Sequence, residues 1–195
     1  MGEKGATSKE KMVRAMAFSL ETKGYNGTGL NDIVESSGSP KGSIYFHFPG
    51  GKEDLAAEAI TTSGRAMGAM LGSLLSSSRS ASSAIVSIFK ALENKLVETD
   101  YSQGCPVATT ASETVSKGNP VNEACRNIFG EWNQGLETFF IGKGWDKKEA
   151  AVLSTSILCL LEGAILLSRT RQDPEPLRSA SKTAKILVQQ GEKNL

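Results

Sequence analysis

Apolar residues in this chain recur at three- and four-residue intervals from one end to the other, and nowhere alternate for long with polar ones. That period belongs to helices burying one face, so a sheet is excluded as the main element. The starts and stops agree with it. Thr7-Ser8-Lys9-Glu10 has capping-box spacing, Met12, Val13, Met16, Ala17 and Leu20 follow on one face, and Lys23-Gly24 closes the segment. Asn119-Pro120 and Asp146-Lys147-Lys148-Glu149 open two further helices in the same way, and Asp173-Pro174-Glu175-Pro176 breaks the chain before a last one. The serine-rich stretch 76–83 reads as a loop and as the first composition boundary. The sequence therefore predicts an all-α chain of nine helices.

Composition narrows the function classes. The net charge of +1 excludes a polycation, so any nucleic-acid binding must come from local groups. Cys105, Cys125 and Cys159 are widely spaced with no C-x-x-C, which reads as buried reduced thiols in a cytoplasmic protein. Met1 to Ser8 is polar and shows no secretory leader. Ala150 to Leu167 is the most apolar stretch, but Glu162 and several hydroxyl residues interrupt it, so a buried helix is expected rather than a membrane span. A small all-α enzyme is the rival from another class. No Ser-His-Asp or Cys-His arrangement is discernible, and the single histidine leaves no basis for a metal site or a cofactor.

The stretch Ser37–Leu55, "SGSPKGSIYFHFPGGKEDL", carries the strongest functional signal. Two short helices joined by Ser37-Gly38-Ser39, behind a longer first helix, make a helix-turn-helix arrangement. Thr28 is expected to cap the second helix, and Ser39 the third, with Pro40 at its first helical position. Ile33, Ile44 and Phe48 are expected to hold the third helix against the first, leaving Lys41, Gly42, Ser43, Tyr45 and His47 outward. Gly42 weakens a helix, which fits a place where backbone comes close to DNA. From Met1 to Lys52 there are seven basic and five acidic side chains, so motif rather than charge carries this reading.

The segment "GYNGTGLNDIVESSGSPKGSIYFHFPGGKEDL" closely resembles the DNA-binding part of TetR-type transcriptional regulators. Gly24-Tyr25, Thr28, Ile33, Gly38, Lys41-Gly42, Ile44-Tyr45, Phe48, Lys52 and Leu55 carry the likeness. "TGLNDIV", "PKGSIYFHFPGGKE" and "CPVATTASE" resemble the LmrA and YxaF branch. Gly29 departs from the pattern where a second hydroxyl residue is common, and Pro49-Gly50-Gly51 lengthens the link into the fourth helix.

The resemblance implies a two-domain regulator: a helix-turn-helix domain over 1–52 and an effector-binding and dimerisation domain over 53–195. It implies a homodimer on a palindromic double-stranded operator, acting as a repressor released by a small-molecule effector. DNA contact is expected from Thr28, Ser39, Pro40, Lys41, Gly42, Ser43, Tyr45, His47 and Lys52. The body should enclose an effector cavity, with Phe89, Phe129, Trp132, Asn133, Leu136, Phe140 and Glu162 as candidates for a planar aromatic ligand. Glu162 has two open roles, a polar contact at the dimer seam or recognition of a cationic ligand. Leu158, Leu161 and Ile165, with Leu187, are expected to supply the seam.

Overall fold

Nine helices and no strand make up the described residues: α1 (Ser8–Lys23), α2 (Leu30–Ser37), α3 (Ser43–His47), α4 (Lys52–Ser77), α5 (Ala81–Glu98), α6 (Pro106–Glu113), α7 (Pro120–Gly142), α8 (Lys147–Arg171) and α9 (Glu175–Glu192). This computed structural model describes residues 7–116 and 118–192, so Glu3 and Lys4, counted above among the N-terminal charges, lie outside the described residues.

The expected caps close several of these helices. Thr7 Oγ1 accepts from the Glu10 N–H at 3.2 Å while a Glu10 carboxylate oxygen accepts from the Thr7 N–H, the reciprocal box. Asn119 Oδ1 accepts from the N–H groups of Val121 and Asn122 ahead of α7. Asp146 Oδ1 does the same for Lys148 and Glu149 at α8, and these two N–H bonds hold its carboxyl below the ordinary range. Ser76 and Ser77 fall inside α4, and α5 begins at Ala81, so the serine-rich loop shrinks to 78–80. Ser73 and Ser76–Ser78 direct their hydroxyls back onto carbonyls three or four residues earlier, which is how serines are accommodated at a helix end.

The chain forms two compact units, one ending at Arg65 and including Cys105–Ile128, the other Ala66–Gly104 with Phe129–Leu195. Helices α4 and α7 each contribute residues to both units. The first unit has a core of Met12, Met16, Leu20, Ile33, Ile44 and Phe48, joined by α6 and the near ends of α4 and α7. Lys9 pairs with Glu58 at 2.7 Å and fixes α1 to α4. Gly64 lies so close to Ile128 that an added Cβ would stand 2.6 Å from Cγ2, which explains a glycine inside α4.

In the second unit α9 packs on α5 and α8. Glu93, buried on α5, accepts from Arg178 Nε and Nη2 and from Lys90 Nζ at 2.9–3.1 Å. Burial pushes the Glu93 carboxyl up, but the Arg178 and Lys90 contacts outweigh it and hold the group below its ordinary value.

The most apolar window of α8 has a mean hydropathy of 2.1, yet only 33% of it is buried within the chain. Its inward face is Ile157, Leu161, Ala164 and Ile165. Leu161 and Ile165, expected at a dimer seam, therefore belong to the chain's own core. Val152, Leu166 and Leu167 on α8, and Ile186 and Leu187 on α9, are large apolar side chains left exposed.

Candidate functional site

The turn between α2 and α3 is built on Gly38, whose φ of 62° is left-handed and whose N–H donates to the Glu35 carbonyl. Helix α3 begins three residues later than expected. Pro40 opens a turn, not a helix: its carbonyl accepts from the Ser43 N–H at 2.9 Å, and regular helix follows from Ser43. Ser39 accordingly does not cap α3. It is buried, its N–H donates to Ser37 Oγ and its hydroxyl is directed at the Ser8 carbonyl at 3.5 Å. At the far end Phe48 takes an extended φ of −135°, the conformation that Pro49 imposes on its predecessor, and α3 stops after five residues.

Thr28 also departs from expectation. The N-cap of α2 is Gly29, which has no side chain to offer, and Thr28 is only 2% exposed. The Thr28 hydroxyl donates to the Gly24 carbonyl at 2.6 Å, so the Ser19 hydroxyl must donate in the 2.9 Å contact between Ser19 and Thr28. Thr28 thus ties α1 to the loop ahead of α2 from the inside, and it has no proton left for a phosphate.

The remaining candidates form one outward surface. Ile44 and Phe48, four residues apart, are buried, which turns the positions between them outward. Pro40, Lys41, Gly42 and Tyr45 are exposed, and Ser43 and His47 are half-buried. Gly42 has ordinary helical angles (φ −66°, ψ −19°), and an added Cβ would meet nothing within 4 Å. Neither strain nor internal crowding requires glycine there. Lys52, at the start of α4, lays its ammonium 4.1 Å from the centre of the Tyr25 ring; burial lowers its pKa, against the opposing charge of Glu113.

Two residues of this region escaped the sequence reading. Phe46 is 81% exposed on α3 and meets the His47 ring edge-on at 4.9 Å. Its place between Ile44 and Phe48 was the available signal. Glu113, at the end of α6, accepts from the Asn26 N–H at 2.8 Å. It also sits where a side chain at Gly24 (φ 74°) would collide with it. No sequence pattern links residues so far apart.

The effector candidates all fall in the second unit. Phe129 and Trp132 are half-buried neighbours, rings edge-on at 5.7 Å, with the indole against Gly68 of α4. Asn133 Oδ1 accepts from Thr155 Oγ1 on α8 at 3.3 Å. Phe89, Leu136 and Phe140 are buried. Phe140 meets the rings of Phe139 and Trp145, both at 5.4 Å and tilted by about 60°. Glu162 is half-buried on α8.

Comparison with known proteins gives a consistent result. Residues 19–59 match the family model for bacterial regulatory proteins of the tetR family, and residues 81–183 match that for the C-terminal domain of LmrA/YxaF-like transcriptional regulators. The chain is 34% identical to the HTH-type transcriptional regulator YxaF of Bacillus subtilis, over 93% of this chain and 95% of that one. It is 36% identical to the HTH-type transcriptional regulator LmrA of the same organism, over 87% and 90%. Among solved structures, a TetR transcriptional regulator from Legionella pneumophila superposes with a TM-score of 0.84 at 23% identity, covering 95% of this chain and 99% of that one.

Proposed function

Because the chain belongs to the TetR family of transcriptional regulators, in the branch of LmrA and YxaF, we propose that it is a ligand-responsive repressor that dimerises on a palindromic operator and leaves it when a planar aromatic effector binds. The observation that carries the DNA half of this reading is Gly42. A glycine with helical angles and open space on its Cβ side is unexplained by the chain itself, and a backbone that must approach DNA closely explains it. Around it Lys41, Ser43, Tyr45 and His47 supply charge and donors for phosphate oxygens, with Pro40 shaping the turn. Lys52 contributes from beside Tyr25, while Thr28 and Ser39 act from within by holding the surface in place. The DNA-binding domain is then residues 1–52, and 53–195 bind effector and partner.

The dimer half rests on the exposed stripe of α8. Val152, Cys159 and Leu166 recur every seven residues, with Ser156 and Gly163 between them allowing a close helix–helix approach. A trough of ≈ 680 Å³ between the two helices is lined by Val152, Ser156 and Cys159 of α8 and by Leu187 of α9, and Ile186 is exposed next to Leu187 in the chain. A second copy of the chain covers such a face by two-fold symmetry.

For the effector, Phe129 and Trp132 offer a pair of rings in a fixed edge-on arrangement, and Asn133 beside them supplies a polar anchor. Phe89, Leu136 and Phe140, buried in the same unit, are the proposed apolar lining. Glu162 selects cationic versions of the ligand or serves the seam. Effector binding favours a dimer whose recognition helices no longer match successive major grooves, and the continuous α4 carries the change; operator and effector then weaken each other equally. The regulator works in the cytoplasm, where its operator is. The test is titration of neutral and cationic planar aromatics against the operator-bound protein, following tryptophan fluorescence and DNA release. Trp132→Phe should lose most of the fluorescence response and weaken release. Unchanged behaviour in that variant would remove Trp132 from the effector site.

A further inference from the structure

We propose that Phe46 is a specificity-determining residue that reads thymine 5-methyl groups in the major groove of the operator. The inference rests on the DNA-binding reading above and adds to it a chemical preference.

Phe46 is the most exposed large apolar side chain among the described residues, at 81%. Its position is fixed on both sides. Its N–H donates to the Gly42 carbonyl, and its ring stands edge-on to His47, with an interplanar angle of 80°. A phenyl ring has neither donor nor acceptor, so it cannot bind phosphate oxygens or the polar base edges that Lys41, Tyr45 and His47 are equipped to meet. Of the groups that base pairs present in the major groove, the thymine methyl is the apolar one.

The surroundings separate this residue from a protein-docking patch. The exposed large apolar side chains of α8 and α9 are all aliphatic, whereas Phe46 stands among Lys41, Gly42, Ser43, Tyr45 and His47. The open space beside Gly42, one helical turn earlier, leaves room for a broad ligand to reach the ring. Phosphate contacts from the neighbours set the register, and Phe46 adds choice among sequences.

The experiment uses the full-length chain and an operator enriched by the wild type from a randomised duplex pool. Each thymine of a half-site is replaced singly by deoxyuridine, which removes only the methyl group. Wild type should lose about fourfold in affinity at one or two positions, the effect of one methyl leaving an apolar contact. Phe46→Ala should bind the intact operator several-fold more weakly, and the deoxyuridine penalty at those positions should vanish. Phe46→Leu, which keeps an apolar surface, should retain part of it. A thermal melt on each variant checks the fold, which a side chain this exposed should leave intact. Persistence of every deoxyuridine penalty in Phe46→Ala would overturn the proposal and place the ring on deoxyribose instead. A wild type indifferent to the methyl groups would overturn it too, while leaving operator binding standing. Failure of the wild type to enrich any sequence would overturn both.

Discussion

The α1–α3 head and the α8–α9 surface both leave apolar side chains in water, and the two sets differ in kind. On α3 they are single aromatics, Tyr45 at 61% and Phe46 at 81% exposed, standing among a lysine, a histidine and a glycine. On α8 and α9 they are aliphatic: Val152, Leu166, Leu167, Ile186 and Leu187. Interspersed rings and cations suit a wet, charged partner, because each ring meets one small apolar group while the cations replace counterions. An aliphatic surface gains nothing from a polyanion and much from another surface like itself. The two units differ inside as well. The first is tied by short hydroxyl and backbone bonds at Thr28, Ser19 and Asn26, the second by long packed helices and the Glu93–Arg178 pair.

The largest effect should come from turning the stripe into something like the head. Val152→Glu combined with Leu166→Glu places four like charges in the proposed dimer seam, and each buried carboxylate costs several kcal/mol. Both positions are more than 60% exposed in the single chain, at 69% and 65%, so the protomer should still fold. Sedimentation should show a monomer, and operator affinity should fall by about a hundredfold or more as the second half-site contact is lost. A folded dimer of unchanged mass would put the interface elsewhere.

Removing charge from the head should have a smaller and salt-dependent effect. Lys41→Ala should weaken operator binding by about tenfold at low salt and reduce the slope of log affinity against log salt by about one. Dimer mass should be the same for Lys41→Ala and wild type in those buffers, because this lysine belongs to the head and not to the proposed seam. Gel shifts across a salt series, with sedimentation beside them, separate the two surfaces. Equal slopes in wild type and Lys41→Ala would mean that this lysine meets no phosphate.

The interior of the second unit should show itself through pH. The Glu93 carboxyl is held below its ordinary value when folded, so its contribution is complete above the unfolded carboxylate pKa. It is lost as pH falls through the lower folded value. Glu93→Gln should lower Tm by a few degrees at pH 7, and the gap from wild type should close on acidification below pH 4. A gap constant across that range would leave the Arg178 contact without a role in stability. In the first unit burial pushes the Cys125 thiol up to about 11, so it should resist alkylation at pH 8 while the exposed Cys159 reacts once the dimer is broken.

The head was legible in the sequence because its geometry is local. Gly38, Pro49 and the Ile44/Phe48 spacing each state a backbone or burial requirement within a few residues, and the family resemblance runs through the same positions. What failed there was also local: a hydroxyl ahead of a helix reads as a cap, yet Thr28 and Ser39 turn inward because α1 offers them partners in the buried Ser19 and the half-buried Ser8. The body was legible only as helices. Period alone marks an apolar face without saying what covers it, so Leu161 and Ile165 read as a dimer seam although both face the chain's own core.

The smallest effect is the most selective, because it should move folding and function in opposite directions. Gly42 sits at φ −66°, ψ −19°, where alanine fits without strain, and a methyl group added there meets nothing within 4 Å. Alanine loses less backbone freedom on folding, so Gly42→Ala should stabilise the chain by about 0.4–1 kcal/mol. If backbone at this position approaches DNA, the same methyl group stands in the contact, and operator affinity should drop about threefold or more despite the firmer fold. Thermal melts and gel shifts on one preparation read both quantities. Stabilisation with full affinity would mean that DNA does not come close at Gly42, and the contact surface would have to be centred on Tyr45 and Lys41 alone. Loss of both stability and affinity would point instead to a structural need for glycine that the open space beside it does not reveal.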